Sequence, residues 1–132
     1  MAGYSGTPLV SKLGIKPDTR IQFLNPPEDF SDTLGPLPDG LKSVTRGAVD
    51  LAIIFVREKA ELEKRFAAMR DRLESNGTLW VAWPKKSART ATDLTENVVR
   101  SVGLDAGLVD VKVCAIDDIW SGLKFVRRLR DR

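Results

Sequence analysis

The chain has 132 residues, of which 42% are hydrophobic and 30% charged, with a net charge of +3. That balance suits one compact soluble domain and excludes a disordered chain or two ordinary domains. Histidine is absent and Cys114 is the only cysteine. The usual general base, the commonest metal ligand, Ser-His and Cys-His nucleophiles and an intrachain disulfide are therefore all excluded.

The charge is unevenly spread. The last eleven residues, "GLKFVRRLRDR", carry Lys124, Arg127, Arg128, Arg130 and Arg132 against Asp131, a local +4 that leaves −1 for the rest. A basic tail of this length reads first as a solvated strand end. No apolar run approaches the roughly 20 residues of a spanning helix, and "MAGYSGTPLV" lacks a basic region followed by an apolar one. A cytoplasmic protein with no membrane partner is expected.

In chain order, Thr7, Pro8 and Gly14 read as N-cap, first position and stop of a short helix "PLVSKL". "RIQFLN" is a first strand ending at Asn25. "PPEDFSDTL" makes one or two helical turns before the turn cluster from Gly35 to Gly40, and "LKSVT" is a short second strand. "VDLAIIFV" (49–56) is a continuous apolar run, the pattern of a strand buried on both faces.

The segment 57–75 is the clearest helix, because Leu62, Phe66, Met69 and Leu73 recur at helical spacing opposite a charged face. Asn76 and Gly77 end it, and "TLWVAW" (78–83) is the next buried strand. Asp93 and Glu96 have the spacing of a capping box, opening a helix with a stripe of Leu94, Val98 and Val102 that Gly107 closes. "LVDVKVCAI" and "LKFVRR" are two further strands joined by "DDIWSG".

Strands alternating with helices need crossover connections, which makes the central strands parallel with helices on both faces. The six-residue link predicts a terminal antiparallel hairpin. The fold class is thus α/β: a three-layer, Rossmann-like, mostly parallel sheet with a C-terminal antiparallel hairpin, in one domain spanning 1–132.

This arrangement resembles a shortened class I methyltransferase-like Rossmann fold. The blocks "YSGTPLVSKLGIK", "WVAWPKK", "TDLTENVVR" and "KVCAIDDIWSGLKFV" together resemble a family of small bacterial proteins of unknown function, over nearly the whole chain. The methyltransferase resemblance implies a glycine-rich turn after the first strand, where main-chain N–H groups meet the cofactor. Here that turn reads "LNPPEDF". Pro26 and Pro27 have no N–H to donate, and Glu28 and Asp29 add negative charge, so no S-adenosylmethionine, dinucleotide or phosphate cradle and no cofactor is expected.

In open parallel sheets the ligand crevice lies beyond the carboxyl ends of the strands. Four loops should gather there: Asn25 to Phe30, Arg57 to Lys59, Trp83 to Thr92, and Asp117 to Gly122. Trp83, which ends a strand before Pro84, reads as a core-edge residue or as a stacking wall beside Lys85 and Lys86. Thr92 and Asp93 cap the next helix, whose N-terminus with the two lysines would suit an anion. Asp117, Asp118, Trp120 and Ser121 form the densest polar loop. Its acids fit a turn, an ion pair with Lys85 or Lys86, a divalent cation or a general base. Cys114 reads as a small hydrophobe in a strand.

These residues favour a non-catalytic binding or interaction module with an anion-friendly crevice, taking a small anionic ligand or a protein segment. The alternative is a divergent methyltransferase-like enzyme with Asp117 or Asp118 as base and Lys85 or Lys86 as anion clamp. Nucleic-acid binding through the basic tail ranks last, as an unfavoured partner class. A homodimer through the terminal hairpin is compatible with the pattern.

Overall fold

A computed structural model describes residues 7–132. Tyr4, Ser5 and Gly6, which open the first of the four sequence blocks, lie outside them. The chain runs through α1 (Leu9–Leu13), β1 (Arg20–Leu24), α2 (Phe30–Leu34), β2 (Lys42–Ser43) and β3 (Val49–Phe55). It continues through α3 (Lys59–Arg72), β4 (Leu73–Pro84), α4 (Glu96–Asp105), β5 (Leu108–Ala115) and β6 (Trp120–Arg127), with short 3₁₀ turns at Lys86–Ala88 and Leu129–Asp131.

The six strands form one sheet in the order β2-β1-β3-β4-β6-β5. β1 pairs in parallel with β2 and β3, and β3 with β4, whereas β6 runs antiparallel to both β4 and β5. This is a mixed α/β Rossmann-like architecture closed by an antiparallel hairpin, as the alternation of strands and helices requires.

Each face of the sheet has its own core. On one, Leu62, Phe66 and Met69 of α3 and Val99 and Val102 of α4 pack on Val81, Trp83, Leu123 and Phe125. On the other, Leu13 of α1 and Phe30 and Leu34 of α2 pack on Ile53, Phe55, Trp80 and Trp120. There a chain of edge-to-face contacts links Phe23 to Phe30 (5.1 Å between centroids), Phe30 to Phe55 (4.9 Å) and Phe55 to Trp120 (5.2 Å). Trp80 is fully buried on this side, and its indole Nε1 donates to the Leu13 carbonyl at 2.9 Å. That bond satisfies an orphan carbonyl at the end of α1 and pins this short helix to the sheet.

Several boundaries differ from the sequence pattern for physical reasons. Pro8 is the residue before α1 rather than its first residue, and Gly14 closes the helix in the left-handed region at φ 77°. α3 stops at Arg72 rather than at Ser75. The Arg127 guanidinium reaches back from β6 to the carbonyls of Arg70 and Leu73, supplying the donors that end the helix there. β4 therefore starts early, with an irregular register against β3 before Thr78.

α4 opens at Glu96 with Thr95 as its N-cap, the hydroxyl accepting from Val98 N at 3.2 Å. Its buried stripe is Val99, Val102 and Gly103. Leu94 is buried just before the helix, in the same core as Val99, the arrangement of a hydrophobic staple. β6 begins at Trp120 because Asp117 Oδ1 accepts from the amides of Ile119 and Trp120, both at 2.8 Å, and tightens the turn. Among the described residues, no helix is long and apolar enough to cross a membrane.

Candidate functional site

All four expected loops meet at the carboxyl edge and line a crevice of about 570 Å³. Asn25, Pro26, Pro27 and Glu28 follow β1. Phe55, Val56, Arg57, Glu58 and Glu61 come from the end of β3 and the first turn of α3, Thr90 from the loop after β4, and Ile119 and Trp120 from the turn into β6. The volume lies in the range of small-molecule sites, about 300–1,000 Å³.

Local geometry fixes the walls. Asn25 sits at φ 53°, a conformation asparagine tolerates better than most residues, which turns the chain out of β1 ahead of the two prolines. Its Nδ2 donates to Glu61 Oε1 at 3.1 Å, and Arg65 Nε donates to the same oxygen at 2.8 Å. Two donors on one oxygen hold the Glu61 carboxylate in place on the crevice wall. The Arg57 guanidinium lies over the Trp120 ring, 5.7 Å from its centroid, where the ring face attracts a cation.

Thr92 and Asp93 bring the opposite wall in. Thr92 Oγ1 donates to Arg57 O at 2.5 Å and accepts from Leu94 N. Asp93 Oδ1 accepts from Lys59 N at 2.8 Å. Asp93 therefore caps α3, not α4, and together with Thr92 clamps the turn that carries Arg57 and Glu58. The anion site expected at the start of α4 is a correction on the same ground: its N-terminus is closed by Thr95, and neither Lys85 nor Lys86 lines the crevice.

Trp83 and Trp120 do not face each other. Trp83 lies opposite Ser121 in the β4–β6 ladder and belongs to the α3/α4 core, whereas Trp120 lies opposite Pro84 and belongs to the α1/α2 core. Alternation along a strand sends adjacent positions to opposite faces, so no slot can form between the two rings. Trp83 is 5% exposed and is a core residue. Ser121 lies within β6 rather than in a loop.

Lys85 contributes its backbone, Lys85 N donating to Ile119 O at 2.7 Å, and Lys86 is exposed in a 3₁₀ turn. Asp117 is spent on the turn amides and Asp118 is exposed, with no ion pair from either to Lys85 or Lys86. Among the described residues, no three His, Cys, Asp or Glu gather as a metal site. Burial pushes the Cys114 thiol up, offset in part by Lys112 and Lys12, which disfavours a reactive thiolate. The basic tail is likewise partly structural, since Arg127 is used at the end of α3 and Arg132 Nε donates to Arg127 O at 2.8 Å.

Of the side chains singled out as ligand-binding candidates Trp120 alone lines the crevice, joined by Glu28 and Arg57 from the expected loops. Glu58 lies in the expected Arg57–Lys59 loop but was not singled out, and Glu61 was missed because it falls on the charged face of α3, which reads as solvated. The lining sets Glu28 and Glu58 against Arg57, with Glu61 paired to Arg65, which lies just outside it, so carboxylates outnumber cations. The expectation of an anion-friendly crevice finds no support in this lining: the excess of carboxylates disfavours phosphate groups, and Pro26 and Pro27 offer them no amide. The same lining fits a ligand with positive centres, hydroxyl donors and a flat ring, for which carboxylates and an aromatic wall are the matching partners.

No family model matches the sequence, so the resemblance to a family of unknown function gains no support there, and no curated protein matches it. The fold, by contrast, recurs in solved methyltransferases. Precorrin-6y C5,15-methyltransferase from Geobacter metallireducens superimposes with a TM-score of 0.61 at 12% identity, over 91% of this chain and 86% of that one. Aeropyrum pernix fibrillarin with bound S-adenosyl-L-methionine gives 0.60 at 15% identity, over 86% and 69%. Magnesium protoporphyrin IX methyltransferase from Synechocystis with bound SAM gives 0.58 at 13% identity, over 91% and 74%. The chain has the Rossmann-like methyltransferase fold.

Proposed function

We propose that the chain is a divergent methyltransferase-like protein whose carboxyl-edge crevice binds S-adenosylmethionine. The observation that carries this reading is the lining of the crevice: three carboxylates, one guanidinium and an aromatic wall, at the ends of β1 and β3. S-adenosylmethionine has a sulfonium and an ammonium, one carboxylate, ribose hydroxyls and a flat base, and each has a partner of matching chemistry there. Solved neighbours of the same fold hold this ligand, which supports the reading.

Glu28, Glu58 and Glu61 would take the positive centres and hydroxyl donors, Arg57 the carboxylate, and the exposed Ile119 side chain, beside the edge of Trp120, the base. When bound, the ligand supplies an electrophilic methyl group. The chain's own residues bind, orient and exclude water: Glu61 is held by Asn25 and Arg65, and the Arg57–Lys59 turn by Thr92 and Asp93. Pro26 and Pro27 favour a second reading, a module that holds such a ligand without turning it over, because the main chain offers nothing to one end of it.

Isothermal titration separates these readings from an empty scaffold. S-adenosylmethionine and S-adenosylhomocysteine are expected to bind with dissociation constants of about 10–100 µM, and E58Q and R57A to weaken binding about tenfold each. The uncharged thioether should bind more weakly than the sulfonium if the carboxylates act as described. No heat at about 1 mM of either compound overturns the proposal.

A further inference from the structure

We propose a second ligand site, for a phosphate-bearing small molecule, at the opposite edge of the sheet, where β3 and β4 begin and β6 ends. A cavity of about 410 Å³ opens there. Three cations from distant parts of the chain line it: Lys16 after α1, Lys124 on β6 and Arg132 in the tail. The Arg132 Nε bond to Arg127 O at 2.8 Å folds the tail back to reach this wall.

The carboxylate on the wall, Asp50, is already committed. Its Oδ2 accepts from Arg20 N and Nε and its Oδ1 from Arg20 Nη2, at 2.9 to 3.0 Å. Among the described residues, no carboxylate lies within ion-pair distance of Lys16, Lys124 or Arg132. A second observation points the same way. Lys112 of β5 sits directly opposite Lys124 in the ladder, a like-charge pair that destabilises a sheet unless a counter-ion relieves it. Lys112 Nζ in turn donates to Lys12 O at 3.3 Å, so α1 adds one more lysine, Lys12, near this face.

Converging cations whose one neighbouring acid, Asp50, is already held by Arg20 gain most from a multiply charged anion, and phosphate fits that better than a carboxylate. Thr78 and Asn76 on the wall add neutral donors. The site is a concave pocket rather than a flat stripe, which favours a small phosphorylated molecule over a polymer. β3 is seven residues long and separates this edge from the crevice by about 20 Å, so a small ligand in one does not touch the other. The two sites therefore stand or fall separately.

Amide-resolved NMR titration with ribose 5-phosphate, inorganic pyrophosphate and a short single-stranded oligoribonucleotide tests the site. The Gly14, Gly77 and Thr78 amides should shift and saturate at about 1 mM ribose 5-phosphate or pyrophosphate, while Asn25 and Ile119 stay. The double variant K16Q/K124Q should weaken binding at least about tenfold, with its ligand-free Tm at or above that of the wild type because the Lys112–Lys124 repulsion is gone. Should that variant fail to fold, the location of the shifts in the wild type decides. The proposal is overturned if nothing shifts at about 20 mM, if shifts are confined to 128–132, or if only the oligoribonucleotide binds.

Discussion

The two faces of the sheet are covered by different means. On one, α3 and α4 contribute 14 and 10 residues, and each lays a continuous apolar stripe on the strands. On the other, α1 and α2 have five residues each, too few to hold themselves as helices. They are fixed at points instead, by the Trp80 bond to Leu13 and by the aromatic chain through Phe30 and Phe55 to Trp120. The crevice opens where that chain ends, so the face secured by few contacts also carries a wall of the candidate site.

Removing a point anchor should therefore cost more than its size suggests. Trp80→Phe keeps an aromatic ring but leaves the Leu13 carbonyl without its indole donor and opens a cavity in a fully buried site. A loss of about 3 kcal/mol is expected, measured by urea unfolding, with faster exchange of α1 amides than of α4 amides. Equal exchange on both faces would refute the point-anchored picture.

The striped face should fail by overpacking. A Cβ on Gly103 would lie 2.0 Å from Phe125 Cε1, and that ring is fully buried against Phe66. Alanine improves helix propensity by about 1 kcal/mol, but the overlap is too deep for a shift of a few tenths of an ångström to relieve. Gly103→Ala is expected to destabilise by about 2 kcal/mol net, and a stabilised variant would show that α4 can move off the sheet.

These contrasts explain what the sequence shows by itself. β3 and α3 are legible because their signals are local: an unbroken apolar run, and Leu62, Phe66 and Met69 at helical spacing. The order of strands and helices then dictates the sheet and its hairpin. The facing of Trp83 and Trp120 is not legible, because it depends on a register in which one residue of slip exchanges the faces. The role of Asp93 is hidden for a related reason. It has the spacing of a local cap with Glu96, yet its carboxylate serves Lys59, 34 residues away. Glu61 escapes notice because a charged helix face looks the same whether it meets solvent or a crevice.

Capping variants sharpen this at smaller cost. Thr95→Ala should lose about 1 kcal/mol and fray α4, whereas Asp93→Ala should lose about 0.5–1 kcal/mol and fray the start of α3 instead. Exchange at the Lys59 and Val98 amides distinguishes the two, and a loss at Val98 in the Asp93 variant would restore the local capping box. Because Asp93 clamps the Arg57–Lys59 turn, its variant should also weaken S-adenosylmethionine binding, if the crevice binds it.

The smallest expected effect concerns pH. Hydrogen bonds and charge from Arg20 hold the Asp50 carboxyl below its ordinary value, against a lesser opposing effect of burial. A carboxyl whose folded pKa is depressed binds its proton more readily in the unfolded chain. Its contribution to stability is therefore full above the unfolded value of about 3.9 and is lost as pH falls through the lower folded value. Asp50→Asn should thus lower Tm at pH 7 and narrow the gap from wild type below about pH 4, because the wild-type carboxyl is then protonated as well. Asp50 is bonded between β3 and Arg20 at the start of β1, beneath both faces, so exchange on the α1/α2 and α3/α4 sides should respond alike. A pH-independent gap would mean that Asp50 acts through the shape of its hydrogen bonds and not through its charge.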